Sequence, residues 1–261
     1  MASNEQTAVL GYAVEQGVAW LRLNRQAQRN ALNRELRGAL AGAVKQAARD
    51  QSVRVLVLIG EGPAFCAGGD VREMAAQDAE PLEALRRDYE AMLTQLRTTP
   101  KPTLAAIRGA AAGIGASIAL SCDLRYATPD AFFREAFVDL GLTVDGGATW
   151  LLPRLVGSAR ALELCYTGRR LPAEEAERWG ILNAVVPPDQ LEPRVREVAS
   201  LLARGPAAAL GAIKRSVGFA ETSTFEEAVD FEFLLQSVQL AGPDFKEGVA
   251  AFLEKREPRF A

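Results

Sequence analysis

Two short apolar runs, VRVLVLI at residues 53–59 and TLAAI at 103–107, each lead into a glycine-rich loop and then a segment with helical spacing. A run apolar at nearly every position reads as a strand buried on both faces. Strand, tight loop and helix in that order, repeated, leave few packings, and the class they imply is α/β with crossover units. VAWLRL at 18–23 alternates and adds a strand, and 123–127 and 131–133 read as two more. Asn33 is predicted to cap a helix whose apolar positions are Leu36, Leu40, Val44 and Ala47. The charged stretch from Val71 to Arg97 is predicted as helix, punctuated by Pro100 and Pro102, and a helix opens within Gly109–Ser121. From Pro188 the pattern is helical nearly to the end, with breaks at Gly205-Pro206 and Gly242-Pro243. After Thr224, residues Phe225, Val229, Phe231, Phe233 and Leu234 occupy more than one helix face. Such a helix must be covered, by the rest of the chain or by a neighbouring subunit.

The count that most restricts the chemistry is zero histidines. It excludes an imidazole base, a Ser–His–Asp triad and a His-ligated metal. The three cysteines, Cys66, Cys122 and Cys165, are too scattered for a zinc knuckle or a disulfide framework. Free thiols and an N-terminus without the pattern of a signal peptide lead to the expectation of a soluble cytoplasmic protein. The longest uncharged stretch, Gly109–Cys122, is too short to span a bilayer. With 30 Lys+Arg against 33 Asp+Glu, a general nucleic-acid binder is not expected.

The loop Ala64-Phe65-Cys66-Ala67-Gly68-Gly69-Asp70 places glycines where a ligand can approach main-chain atoms, and Asp70 can cap the helix after it. The loop Arg108–Gly115 has the same placement. Both would present unpaired N–H groups at a positive helix end, and two such groups on one carbonyl oxygen form an oxyanion hole. Each loop taken singly is equally a tight turn of a close-packed α/β domain. No Walker or dinucleotide spacing occurs.

Four ordered motifs carry a family resemblance: GEGPAFCAGGDVREM, KPTLAAIRGAAAGIGASIALSCDLRYAT, GLTVDGGATWLLPRLVGSARALELCYTGRRLPAEEAERWGILNAVV and EGVAAFLEKREPRF. Together they resemble the enoyl-CoA hydratase/isomerase (crotonase) superfamily over nearly the whole chain. The resemblance implies a crotonase-type spiral of ββα units with a C-terminal helical region. Residues 1–197 would form the core with the CoA and acyl site, and 198–261 a helical oligomerisation region, in a homotrimer or homohexamer. It also implies an acyl-CoA substrate, with the coenzyme A thioester as substrate and no separate cofactor or metal. The thioester oxygen would be held by the backbone amides of Ala67 and Ile114. The family commonly has glycine at 114, so the isoleucine side chain must find room; taken alone, Ile114 also reads as core.

The two glutamates of the family's hydratases match Ser117 and Phe137 here, neither of which exchanges a proton as a carboxylate does. Asp145, in TVDGGATW, matches a functional aspartate of the family's ring-1,2-epoxyphenylacetyl-CoA and dienoyl-CoA isomerases. Without that match it reads as a helix cap. As a catalytic group it would carry a proton from one carbon to another, with Phe137, Val144 and Trp150 raising its pKa. Glu135 reads as a solvated strand-end carboxylate and a reserve acid. Ser117 is expected to back-bond within its helix, and Cys66 to be a small buried hydrophobe.

For CoA, the resemblance implies Arg25 and Arg29 near the nucleotide and Gly68, Gly69 and Asp70 against the adenine. Phe252 and Lys255 would reach a neighbouring subunit's CoA. The expected activity is therefore an acyl-CoA isomerase. The alternatives are a hydratase-like enzyme of different acyl specificity, a dehalogenase using Asp145 as nucleophile, and a non-catalytic CoA-binding module. The dehalogenase route resembles one that uses a histidine base, and RNA binding would need a denser basic helix than Lys214-Arg215.

Overall fold

The computed structural model describes residues 8–76 and 82–260. The chain opens with β1 (Leu10–Glu15) and β2 (Val18–Leu23), followed by α1 (Arg34–Arg49) and β3 (Val55–Gly60). Then come α2 (Val71–Ala75), α3 (Leu82–Leu85) and α4 (Ala91–Thr98), with a π-helical turn at Arg86–Glu90. Next are β4 (Thr103–Ile107), β5 (Ala110–Ala112), α5 (Ile114–Leu120), β6 (Leu124–Ala127) and β7 (Phe132–Arg134). They are followed by α6 (Ala148–Val156), α7 (Ser158–Thr167), β8 (Leu171–Pro172), α8 (Ala173–Arg178) and β9 (Ala184–Val185). The last four elements are α9 (Leu191–Ala203), α10 (Ala207–Ala220), α11 (Phe225–Ala241) and α12 (Pro243–Glu254).

The strands lie in two sheets. One has the order β1-β2-β3-β4-β6-β9, parallel except for the β1–β2 hairpin. The other has the order β5-β7-β8. After β4 and after β6 the chain lays a second segment into a smaller layer, β5 and β7 respectively. The loop after β3 does the same in miniature, since Cys66 bridges in parallel to Ala111 of β5 and Gly69 to Leu32. This is the expected spiral of ββα units.

Side-chain alternation explains why the central strands of the large sheet are apolar on both faces over most of their length. Leu21, Leu56, Leu58 and Ala105 enter one core with α1 and α4, while Trp20, Val55, Val57 and Leu104 enter another with α9. Burying each leucine contributes roughly 2 kcal/mol. The one polar position of β2, Arg22, pairs with Glu61 at 3.0 Å and Glu192 at 2.6 Å.

Asn33 caps α1, its side chain accepting from the Leu36 N–H, and Asp70 caps α2 by accepting from Arg72 and Glu73. The single helix expected over 71–97 is instead divided, and residues 77–81 of it lie outside the described residues. The π turn buries Asp88 against Arg37 of α1 at 3.0 Å. A strand, β5, precedes the helix expected within Gly109–Ser121, because Ala111 is drawn into pairing with Cys66 and Phe133 before the chain turns.

The expected core boundary after residue 197 falls inside α9, whose Leu191, Val195, Ala199 and Ala203 all pack on the sheet. Packing on the sheet therefore continues to Ala203, and α10 is still tied to the core through Lys214, which donates to the Leu96 and Lys101 carbonyls and pairs with Asp123 at 2.8 Å. Beyond Ala203, α10–α12 enclose a groove of about 840 Å³ and leave Phe225, Phe233 and Leu253 exposed. Among the described residues no helix is long and apolar enough to cross a membrane.

Candidate active site

A cavity of about 390 Å³ opens between the loop after β3, the start of α5, the π turn and the segment after β7. Gly69, Met74, Tyr89, Ile114, Phe137 and Asp145 line it.

Backbone pairing decides which N–H groups face it. The Leu32 N–H donates to the Gly68 carbonyl at 2.7 Å, and the Asp70 N–H donates to the Leu32 carbonyl at 3.0 Å. In a parallel bridge the residue between those two groups directs its own N–H to the opposite side. That residue is Gly69, whose N–H has no acceptor among the described residues. Ala67, the donor expected from the resemblance, is different: its N–H donates to the Arg29 carbonyl at 3.0 Å. It holds the loop and is not available to a ligand. Ile114 opens α5, so its N–H has no intrahelical acceptor.

The two loops meet at Gly68. Its φ is +100°, and a Cβ there would lie 2.9 Å from the Ala112 carbonyl oxygen. Only glycine permits both the conformation and the approach. The Ile114 side chain finds its room at Gly146, which has φ +64° and whose hypothetical Cβ would stand 2.5 Å from Ile114 Cδ1.

Asp145 does not cap α6. The N-cap is Gly147, with no side-chain cap bond, and only the Asp145 carbonyl is engaged, by the Ala148 N–H at 3.3 Å and by Ser117 Oγ at 3.1 Å. The carboxyl is left at the cavity wall, where solvent reaches it, and the surrounding protein mass still pushes its pKa above the usual aspartate value. A further cavity of about 470 Å³ shares Tyr89, Ile114 and Asp145 and continues to Leu93, Trp150 and Leu151. Trp150 is flanked by the guanidinium groups of Arg97 and Arg154 at 4.5 and 3.9 Å.

Two acidic-region expectations need correction. Ser117 does not back-bond within its helix; its hydroxyl reaches across to the Asp145 carbonyl. Glu135 is not solvated: it is 2% exposed, and burial together with the nearby Asp145 charge pushes its pKa up to about 8. Cys66 is buried, and its thiol is pushed up to about 12.

Among the expected CoA residues, Gly68, Gly69 and Asp70 line the cavity. Arg25 is committed to Asp70 at 3.0 Å and to the Ala31 carbonyl, so it braces the loop and is not a free cation. Arg29 is exposed beside it. Phe252, 83% exposed, lines the groove of the C-terminal helices, and Lys255 ends α12; neither lines the cavity with Asp145. Tyr89 and Leu140 are wall residues that lie outside every motif, and Met74 and Leu142 are wall residues inside the motifs that were not expected at the site. Among the described residues no three His, Cys, Asp or Glu side chains gather as a metal centre requires.

Comparison with known proteins identifies the family. The sequence model of the enoyl-CoA hydratase/isomerase family matches residues 13–261. The chain is 41% identical to the 1,2-epoxyphenylacetyl-CoA isomerase of Escherichia coli, covering 95% of this chain and 96% of that one. It is 40% identical to a probable enoyl-CoA hydratase of Rhodobacter capsulatus, with 95% and 96% covered. A crystal structure of an enoyl-CoA hydratase subunit from Geobacillus kaustophilus superposes with a TM-score of 0.90 at 40% identity, over 97% of this chain and 98% of that one.

Proposed function

Because the chain belongs to the enoyl-CoA hydratase/isomerase family, we propose that it is an acyl-CoA isomerase that shifts a double bond or rearranges a ring epoxide of phenylacetyl-CoA. The observation that carries this reading is the cavity's titratable inventory around the acyl position. Asp145 stands there with a free carboxyl, while the two positions that match the hydratase glutamates hold Ser117, turned to a backbone carbonyl, and Phe137.

In this reading the thioester carbonyl accepts hydrogen bonds from the N–H groups of Gly69 and Ile114. Asp145 takes a proton from the α-carbon, or from the γ-carbon of an unsaturated chain. The C–H electron pair delocalises onto the thioester oxygen as an enolate. The protonated Asp145 then returns the proton at another carbon as the enolate collapses, and the enzyme ends as it began. Each preorganised amide is worth about 3–4 kcal/mol of barrier. Partial desolvation brings Asp145 closer to the working range of a general base. The reaction consumes no cofactor or metal beyond the CoA thioester itself.

In this reading the exposed Arg29 meets a CoA phosphate, and the second cavity with Trp150 suits a ring or branched acyl end. The E. coli relative's name, an isomerase of an aryl-acetyl-CoA epoxide, supports that acyl class. The exposed apolar groove of α10–α12 supports assembly as a homotrimer or homohexamer, which would bring Phe252 and Lys255 to a neighbour's CoA. The test is turnover of purified protein with a 3-enoyl-CoA, a dienoyl-CoA and 1,2-epoxyphenylacetyl-CoA. Isomerised product from any of them supports the reading; hydration of a 2-enoyl-CoA in place of isomerisation contradicts it.

A further inference from the structure

The two cavities that meet at Asp145 are separate spaces with a common boundary, and the residues common to both are Tyr89, Ile114 and Asp145. A group that extends from the thioester site into the second cavity must pass these three, and the passage is narrower than either space it joins. Ile114 and Tyr89 are both held firmly. Ile114 is buried, and its Cδ1 lies so close over Gly146 that a Cβ there would stand 2.5 Å away. A β-branched side chain seated in this way has little rotamer freedom. Gly146 itself lines the second cavity, so the tip of the isoleucine lies at the passage. Tyr89 belongs to the π turn at Arg86–Glu90, an irregularity that recurs at functional sites. The guanidinium of Arg37 lies over its ring at 5.1 Å, and Arg37 is itself buried and paired with Asp88 at 3.0 Å. Beyond the passage, Leu93, Trp150 and Leu151 offer apolar wall.

We propose that Tyr89 and Ile114 form a selective neck that admits a flat acyl group beside Asp145 and refuses a thick one with the same number of carbons. The pair thereby sets a preference for unsaturated or aromatic acyl-CoA over acyl groups that are branched or carry a saturated ring at that point. The inference rests on the acyl-CoA reading of the site. With the thioester oxygen on the N–H groups of Gly69 and Ile114, the first acyl carbons lie between those donors and Asp145, and the next ones enter the neck. Hydrophobicity alone works the other way. A saturated six-membered ring carries more apolar surface than a phenyl ring, and burial in proportion to area favours it. A preference for phenyl therefore measures shape, together with the contacts an aromatic acyl group makes with the Tyr89 ring. Branching further along the chain is tolerated, because the cavity beyond the neck holds about 470 Å³.

The test is calorimetric binding of phenylacetyl-CoA and cyclohexylacetyl-CoA, which differ only in the thickness of the ring, to the wild type, Ile114→Ala, Tyr89→Ala and Leu93→Ala. The readout is the ratio of the two dissociation constants within one protein, in which any general loss of folded protein or of CoA affinity cancels. The wild type is expected to bind phenylacetyl-CoA about tenfold tighter, the scale of discrimination that a small misfit produces in an apolar pocket. Ile114→Ala and Tyr89→Ala are each expected to bring the ratio within about twofold, with cyclohexylacetyl-CoA gaining affinity in Ile114→Ala. A damaged site would show no such gain. Leu93→Ala enlarges the second cavity beyond the neck and is expected to leave the ratio as in the wild type. Equal or tighter binding of cyclohexylacetyl-CoA by the wild type overturns the inference. So does a preference that survives in Ile114→Ala, or one that Leu93→Ala abolishes. The expected ratios without α-proton exchange into deuterated water on bound phenylacetyl-CoA uphold the neck and overturn the isomerase reading instead; absence of binding by both ligands overturns both.

Discussion

The hydroxyl of Ser117, in the middle of α5, donates to the backbone carbonyl of Asp145 at 3.1 Å, 28 residues on. The turn that follows lies flat on the same residue: a Cβ at Gly146 would stand 2.6 Å from Ser117 Cβ. The position that matches a hydratase glutamate is thus used to seat the turn bearing the lone acid. A small hydroxyl residue serves for this, because the backbone of 145 and 146 occupies the space a longer side chain would need.

Ser117→Ala removes the donor and leaves the Asp145 carbonyl without that partner. It is expected to cost about 1 kcal/mol of stability, read by urea unfolding. Because a slight misplacement of a reacting group is costly, kcat is expected to fall roughly tenfold with KM unchanged. An unaltered kcat would show that the turn holds its place without this bond.

The assignment of the oxyanion donor to Gly69 rather than Ala67 is tested by exchanging single peptide N–H groups for ester oxygens. An ester at residue 69 is expected to lower kcat about 10²–10³-fold. An ester at 67 removes only the bond to the Arg29 carbonyl. It is expected to cost about 1 kcal/mol of stability and to leave kcat within a few fold. The reverse pattern would return the role to Ala67.

The buried Glu135 also fixes a sign for stability against pH. Its folded pKa, about 8, lies above the ordinary value of 4.5, so between those values the folded chain binds more protons than the unfolded one. Its contribution is fully present below pH 4.5 and is lost as pH rises to about 8. Thermal unfolding across that window is therefore expected to show the wild type losing Tm relative to Glu135→Gln as pH rises. Parallel curves for the two proteins would mean that Glu135 is not buried in its acid form.

Much of the frame is legible in local pattern. The runs that form β2, β3 and β4, the Asn33 and Asp70 caps and the Gly-Pro breaks after α9 and α11 are all short-range signals. What escaped is set by contacts distant in sequence. Whether Ala67 or Gly69 faces the cavity depends on the register of the bridge to Leu32, and neither residue's type reveals it. Arg25 looks like a free cation until Asp70 is folded against it at 3.0 Å. Glu135 looks like a strand-end charge until the fold encloses it to 2% exposure, and the π turn within 71–97 is where Asp88 turns in to Arg37. Asp145 was legible through its motif match, but its freedom from capping required the observed cap at Gly147.

The central claim, that Asp145 moves the proton, is tested most directly by deuterium exchange at the α-carbon of a bound acyl-CoA in wild type and Asp145→Asn. The expected result is loss of exchange by roughly 10³-fold with acyl-CoA affinity retained. Exchange within a few fold of wild type in Asp145→Asn would contradict it.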